Sequence, residues 1–574
     1  MQLDELAARK GDDLDYQKLV FDYARHPDQD AATPNRRPVV VVGAGPVGLA
    51  LAIDLAQRQI PVVLLDNDNT LSTGSRAICF AKRTLEIFDR LGCGDRMVDK
   101  GVSWNVGKVF FKQEQVYTFD LLPEAGHARP AFINLQQYYV EGYLAERAAE
   151  LPLIDLRWKN KVVGVEQHHD HVSLTVDTPD GPYCLEADYV AACDGGRSAM
   201  RQLIGQESKG RVFRDRFLIA DVKMNYDGPA ERWFWFDPVF HPNQSVLLHR
   251  QPDGVWRIDF QLGWDADPDE EKKPENILPR VKALLANSTM KDAEFELEWA
   301  SVYTFACLRM DRFRHGRVIF AGDSAHGVSP FGARGANSGV QDADNLAWKL
   351  AAVVNRQAPD ALLDTYADER EYAADENIRN STRATDFITP KSEISRLFRD
   401  AVLALAKTHP FARTLVNSGR LSVPATLHGS PLNTPDAESF AGRMVPGAAA
   451  ADAAVARRDG GSSWLLRELG TGFTALVVEG PDSDAMARAI QDLDGLEERV
   501  KMLRVAIGPD AGSADLLDKG GALSQRYDLR PGTVYLFRPD QHVCARWREP
   551  TAVQVKTAVE RALAIVRRST QSWN

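Results

Sequence analysis

Residues 38–66 read PVVVVGAGPVGLALAIDLAQRQIPVVLLD. The run 38–42 is short, apolar and unbroken, as a parallel strand is when both its faces are covered. It passes directly into Gly43-Ala44-Gly45-Pro46-Val47-Gly48 and then into a helical pattern, LALAIDLAQRQ. A second apolar run, 61–65, ends in Asp66. The order strand, GxGxxG, helix, strand, acid predicts a βαβ unit that receives a dinucleotide. Gly43 permits the tight turn, Gly45 lets a pyrophosphate approach the backbone, and Gly48 lets the helix pack on the strand. The helix N-terminus attracts the phosphates, and Asp66 is placed for a ribose hydroxyl. The fingerprint by itself does not separate FAD from NAD.

Two further stretches narrow the reading. Residues 189–201, YVAACDGGRSAMR, form a strand ending in Asp194-Gly195. Residues 322–350, GDSAHGVSPFGARGANSGVQDADNLAWKL, set a Gly-Asp turn, a proline and a glycine-rich loop ahead of an amphipathic helix. Glycine lets backbone come close to a flat polar ligand. A helix starting near Asn337-Ser338-Gly339 aims unpaired N–H groups and partial positive charge at whatever precedes it.

Together the three segments resemble the FAD-dependent aromatic hydroxylases, the single-component flavoprotein monooxygenases that include para-hydroxybenzoate hydroxylase and phenol hydroxylase. The resemblance covers roughly residues 38–420, with the motifs in the family's order. It implies that Gly43, Gly45, Pro46 and Gly48 cradle the FAD pyrophosphate and that Asp66 takes the adenosine ribose. Arg76 approaches the diphosphate and ribityl chain, and Gln137 contacts the ribityl. Asp194 belongs to the family's Asp-Gly motif. Asp323 binds ribityl oxygens, and Pro330 lies beside the reactive edge of the ring system. Gly335, Ala336 and Asn337 present backbone or amide groups to the pyrimidine edge. The implied chemistry is reduction of FAD by NAD(P)H, addition of O₂ to give a C4a-hydroperoxide, and transfer of its distal oxygen to an activated phenolic ring.

For the substrate, Arg257 and Asp259 in VWRIDFQL share one strand face by alternation. The phenol hydroxylase resemblance places an Arg-x-Tyr pair here. Arg257 is kept and Asp259 stands at the tyrosine position, while the family's active-site aspartate falls on Ile78. Arg257 and Asp259 are therefore expected to bind or deprotonate the substrate's polar groups, the bland alternative being a solvated ion pair. His326 lies within the Gly-Asp run and is read as structural. The run Trp233-Phe234-Trp235-Phe236-Asp237-Pro238 resembles the WxWxIP stretch of flavin-dependent halogenases, with Asp237 replacing the apolar residue, but alternation puts both tryptophans on one face and an aromatic wall is a sufficient explanation.

The chain has 574 residues, 44% hydrophobic and 26% charged, and carries a net charge of −11 with pI near 5.7. That length exceeds one ordinary core, and the acidity speaks against a nucleic-acid or anionic-membrane surface. Six scattered cysteines form no CxxC or Cys/His cluster, so no metal site or disulfide framework is expected and a reducing cytoplasm fits. No secretory h-region opens the chain, and no apolar stretch approaches the ~18 residues of a membrane span.

The expected fold is α/β. A polar arm occupies 1–37. A discontinuous Rossmann-like FAD-binding domain takes 38–209 and 306–425, with its body near 38–100, 130–205 and 306–400. A β-rich substrate domain is inserted at 210–305. After a Pro/Gly/Ser-rich linker, residues 445–574 resemble a thioredoxin fold, but the place of the redox pair reads GPDSDA. That removes disulfide exchange and leaves a structural or dimerisation role. The leading function is hydroxylation of a phenolic monoaromatic, nearer to 3-(3-hydroxyphenyl)propionate hydroxylase-type proteins. The alternatives are a polyketide-tailoring hydroxylase, and a flavin-holding sensor or scaffold that does not oxygenate. The expected partners are a small phenol, O₂ and NAD(P)H, with no nucleic acid or membrane and a homodimer as the open oligomeric option.

Overall fold

A computed structural model describes residues 15–74, 76–416, 421–480, 488, 500–508 and 514–565. Strand Asn35–Val42 runs parallel to Val62–Leu65 on one side and to Tyr183–Ala192 on the other. Ile154–Arg157 and Val318–Phe320 extend this parallel sheet at either flank. Helix Pro46–Gln57 follows the first strand, so the βαβ unit read from 38–66 is present. The sheet lies within the main hydrophobic core, and Val39, Val40 and Val41 are fully buried.

The sheet contributed by 210–305 is larger than its sequence span. Ser208–Met224 is flanked by Phe295–Met310 and Val255–Leu262, and then come Ser245–Arg250 and Arg232–Phe236. Beyond these, Arg232–Phe236 pairs in parallel with Val106–Phe111, which forms a hairpin with Glu114–Asp120. That hairpin falls within the expected first FAD segment, 38–209, yet its strands belong to the second sheet. Pairing across more than a hundred residues leaves no local trace in the sequence.

The sequence left open whether the polar arm packs on the body. From residue 15 it packs on the body: Tyr16 is buried edge-on against Tyr139 and Tyr143, and Phe21 stacks on Trp158 at 4.4 Å. Asp28 is buried between Arg37 and Arg157, whose guanidinium groups lie 2.8 and 2.7 Å away.

The third sheet pairs Phe473–Val478 in parallel with Val500–Ile507 and antiparallel with Val534–Phe537, and Val543–Trp547 closes that edge. Leu516–Asp518, Ala454–Arg457 and Ser462–Trp464 extend the other side. Residues 484–493, and all but Gly480 of the GPDSDA segment, lie outside the described residues, Arg488 excepted. Cys544 is buried, as a small hydrophobe would be. This sheet is keyed into the body by buried charge. Arg538 spans Glu369 and Asp540, Lys349 Nζ sits 2.7 Å from Glu369, and Arg83 donates to the Asp540 carbonyl. Among the described residues no helix is long and apolar enough to cross a membrane, and no group of His, Cys, Asp and Glu is arranged to hold a metal ion.

Candidate active site

The three glycine-bearing motifs meet at the carboxyl ends of the parallel strands. A Cβ on Gly43 would stand 2.5 Å from the Cys193 carbonyl oxygen, and one on Gly48 only 1.9 Å from that of Gly43. One on Gly339 would stand 2.7 Å from Val47 and 3.1 Å from the Cα of Gly322. The first helix, the Asp-Gly turn, the Gly-Asp turn and the helix Gly335–Val354 are thus pressed together by missing side chains.

Gly45 is the exception, since a Cβ there would meet nothing within 4 Å. Space opens above it, at the N-cap of Pro46–Gln57, where no side chain caps the helix. Asp66 borders the same space and is half-buried. Its carboxylate accepts from the Ala44 and Asp68 N–H groups at 2.6 and 2.8 Å. Burial raises its pKa, while those two donors pull it down.

Asp323 is exposed to solvent although protein surrounds it, and burial raises its pKa against the pull of His326. Its carboxylate makes no hydrogen bond among the described residues. It sits 4.0 Å from where a Cβ on Gly335 would be. The helix begins at Gly335 rather than near Asn337-Ser338-Gly339. Its first-turn N–H groups, on Gly335, Ala336 and Asn337, therefore face the loop before it.

A cleft with an open glycine, an unpaired carboxylate and two uncapped helix N-termini matches the donors and acceptors of FAD, so the residues fit the cofactor. Gly45, Pro46 and Gly48 would hold the pyrophosphate, Asp66 the ribose, Asp323 the ribityl chain, and the Gly335–Asn337 N–H groups the ring.

Several expected contacts are turned elsewhere. The Asn337 amide accepts from Ala81 N–H at 2.8 Å and donates to the Cys79 and Ala333 carbonyls. Its side chain ties helix to strand, which leaves only its backbone for a ligand. The Gln137 amide is likewise engaged, accepting from Ala77 N–H at 3.0 Å and donating to Glu141 at 2.7 Å. It anchors the segment that carries Arg76, whose side chain is exposed. Asp194 accepts from Ser198 Oγ at 2.6 Å and Met200 N–H at 2.9 Å, and so caps the turn that follows it.

His326 is fully buried, 2.6 Å from Asp342, which also accepts from Gly322 N–H at 2.9 Å and Arg370 Nε at 2.6 Å. This clamp holds the Gly-Asp turn against the long helix. Burial works to raise the Asp342 pKa, but His326 and Arg370 outweigh it, and the net shift is downward. A carboxylate with a depressed folded pKa contributes stability above its unfolded pKa, near 4, and loses it as pH falls through the folded value. Asp342→Asn should therefore cost about 3 kcal/mol at pH 7, because it leaves Arg370 and His326 without their buried partner. The gap to wild type should narrow below pH 4. Melting curves at pH 7 and pH 3.5 check this, and a gap that does not change with pH would contradict it.

Pro330 is exposed in the loop before the helix, and the turn from Pro330 to Ala333 is closed by a 3.1 Å backbone hydrogen bond. Phe331 beside it packs on Phe217 and Phe305, with ring centroids 4.9 and 5.3 Å away. These rings belong to the second sheet, whose face toward the loop also carries Phe236 and Leu247. Trp233 and Trp235 share a face, as alternation requires, but it is the opposite one. They belong to the cluster that takes in Ile277, Val281 and Leu284 of helix Pro274–Ala286. The aromatic wall next to Pro330 is made of phenylalanines.

The same inner face ends in a polar corner. Arg257 and Asp259 are buried, not solvated, with Nε and Oδ1 2.9 Å apart, and Arg257 also donates to the Arg76 carbonyl at 3.0 Å. Register sets His249 opposite Arg257, and Arg232 opposite His249. His249 Nε2 lies 3.7 Å from Asp259 Oδ2, and its Nδ1 lies 3.9 Å from Cys79 Sγ. Burial, with Arg232 and Arg257 nearby, keeps the imidazole neutral. Arg232 is 8% exposed, yet its guanidinium has neither a hydrogen bond nor an ion pair among the described residues. Burial lowers its pKa, and only the more distant Cys79 and Asp259 favour its charge. Neither Arg232 nor His249 was named from the sequence. Alternation gives each a strand face, but only the register of the three strands brings both beside Arg257.

Residues 36–381 match the family model described as FAD binding domain. The 3-(3-hydroxy-phenyl)propionate/3-hydroxycinnamic acid hydroxylase of Mycolicibacterium smegmatis (strain ATCC 700084 / mc(2)155) is 27% identical, over 92% of this chain and 93% of its own. The probable NADH-specific resorcinol 4-hydroxylase of Rhodococcus jostii (strain RHA1) is 34% identical, over 58% of this chain and 62% of its own. Among solved structures, the flavin-dependent monooxygenase PieE in complex with FAD and substrate superposes with a TM-score of 0.76 at 21% identity, covering 92% of this chain and 100% of that one.

Proposed function

This chain belongs to the FAD binding domain family as an NAD(P)H-dependent flavoprotein aromatic hydroxylase, and from that premise we propose that its substrate is a small phenolic acid. The observation that carries the acid is Arg232, a buried cation with no hydrogen bond or ion pair among the described residues, on the sheet face that also carries Phe236 and Leu247. Desolvating such a charge is costly unless an anion joins it, and a guanidinium matches a carboxylate with two parallel hydrogen bonds. The M. smegmatis relative, named for hydroxyphenylpropionate and hydroxycinnamate, acts on acids of this kind.

Bound FAD supplies hydride acceptance from NAD(P)H and activation of O₂. The chain positions the ring and handles its proton. In our reading Phe217, Phe305 and Phe331 hold the aromatic ring beside Pro330 and keep water out, with Arg232 on the carboxylate. Arg257 steadies Asp259 through Oδ1 and leaves Oδ2 to accept the phenolic proton. His249, neutral and 3.7 Å from that oxygen, lines the polar corner without competing for the proton.

Asp259→Asn should lower the rate of hydroxylation about 100-fold at pH 7, within the usual range for a lost general base. The loss should shrink at pH 9–10, where the phenol ionises unaided. Equal loss at every pH would remove Asp259 from the proton path.

The wider reading keeps an N-terminal segment 1–37, an FAD-binding unit of 38–209 and 306–425, a substrate sheet at 210–305 and a thioredoxin-like unit at 445–574. It places the enzyme in the cytoplasm, as a homodimer. The test of function is NAD(P)H consumption, O₂ uptake and H₂O₂ release across phenolic acids, neutral phenols and polycyclic phenols. A small phenolic acid that returns a dihydroxylated product with little peroxide supports the reading. Preference for polycyclic phenols would replace it with a tailoring role, and oxidation that no ring compound stimulates would point to a non-oxygenating protein.

A further inference from the structure

Helix Glu393–Ala406 turns the wrong face to water. Ile394, Leu397, Phe398 and Leu405 are 81%, 72%, 58% and 44% exposed, and Ala401 lies between them, exposed as well. Their spacing is i, i+3, i+4, i+7, i+11, which is the seam of a helix with a partner. The opposite face, with Val402, Leu403 and Ala406, is buried on the body. The next helix, Pro410–Val416, continues the patch with Phe411 and Leu415, 60% and 53% exposed. Six large apolar side chains offer several hundred Å², at or above the ~300–600 Å² that is the largest patch of a typical monomer. That is close to the ~800 Å² each partner gives a standard interface.

We propose that this face is the contact between two copies of the chain, with helices Glu393–Ala406 packed antiparallel about a twofold axis. The inference rests on the homodimer reading and is independent of the substrate. The helix is complementary to itself in that arrangement. With the axis near its middle, Ile394 faces Leu405 of the second copy and Phe398 faces Ala401, large against small at both crossings. Charge agrees: Glu393, in the first turn, comes opposite Lys407, just past the last, whose present partner is the exposed Glu114 at 2.7 Å. Antiparallel helices also set opposite dipole ends together. A membrane surface is the poorer fit. An interfacial helix keeps a Lys/Arg-rich face in water, whereas here the second face is buried in protein and the charges beside the seam, Glu393, Arg396 and Lys407, are mixed in sign.

The test is light scattering of the FAD-loaded full chain across a dilution series. Wild type is expected as a dimer. Leu397→Glu should weaken it at least 30-fold while leaving flavin absorbance and turnover intact. Phe398→Ala and Ala401→Phe should each weaken the dimer several-fold, and the double exchange should restore it, because only a twofold pairing places the two residues against each other. A monomeric wild type at all concentrations would sink the homodimer reading itself. A dimer untouched by Leu397→Glu, or single exchanges the double does not rescue, would leave the homodimer standing and overturn this surface. Wild-type binding to anionic vesicles, lost in Leu397→Glu without any dimer, would assign the face to a membrane instead.

Discussion

Gly45→Ala is expected to yield a protein that folds as well as wild type and binds FAD at least 100-fold more weakly. Gly45 has ordinary extended backbone, φ −74° and ψ −177°, so alanine adopts it without strain. Its Cβ meets no protein atom within 4 Å. The methyl group enters only the space where the pyrophosphate would lie, and about 2.7 kcal/mol of lost binding corresponds to the hundredfold. Gly48→Ala, three residues on, should fail differently. Its Cβ would stand 1.9 Å from the Gly43 carbonyl oxygen, a packed backbone atom that cannot give way as a flexible side chain would. The helix must lift from the strand, so flavin and stability are lost together. Fluorescence titration of apoprotein with FAD, beside melting curves of the apoproteins, separates the two. If Gly45→Ala lowers the apoprotein's melting temperature as much as Gly48→Ala does, the open space above Gly45 is not a ligand site.

Arg232→Met is expected to raise stability and remove the substrate. In the free enzyme the guanidinium is desolvated without a partner. A methionine of similar reach should stabilise the fold by about 1–3 kcal/mol, as replacing poorly compensated buried charge commonly does. The same change deletes one side of a buried charge pair formed with the substrate carboxylate, at a cost of about 2–5 kcal/mol. KM for a phenolic acid should rise between roughly 30- and 1,000-fold or more, while a neutral phenol of the same ring should be turned over as before. Opposite signs for stability and acid affinity are the signature. Equal losses on the acid and the neutral phenol would show that Arg232 shapes the pocket and does not read a carboxylate.

The legible parts of this chain were those with a local cause. Gly43, Gly48 and Gly322 are glycine because backbone or a neighbouring side chain stands where a Cβ would be, and short motifs record that directly. The α/β class followed from runs such as 38–42 and 61–65, which formed strands as read. What sequence could not deliver was register and side-chain allegiance. His249 and Arg232 join Arg257 only because three strands pair at particular positions. Asn337 and Gln137 stand in motif positions, yet their amides serve the protein's own backbone, a choice made by contacts with Ala81 and Ala77. The hairpin at 106–120 entered the second sheet through a parallel pairing that no window of sequence contains.

The strand order of the nucleotide sheet carries a consequence for biosynthesis. Val318–Phe320 pairs with Tyr183–Ala192, which pairs with Asn35–Val42. A ribosome adding about 5–20 residues per second needs tens of seconds to pass from the first of these strands to the last. Until then Val190–Ala192, the end of Tyr183–Ala192 beyond the stretch paired by Val172–Asp177, has a bare edge, and an unpaired apolar edge is a template for the wrong neighbour. Nascent chains halted anywhere before residue 318 should therefore be clients of chaperones, and FAD should be captured only after the ribosome has passed the long helix that ends at Val354.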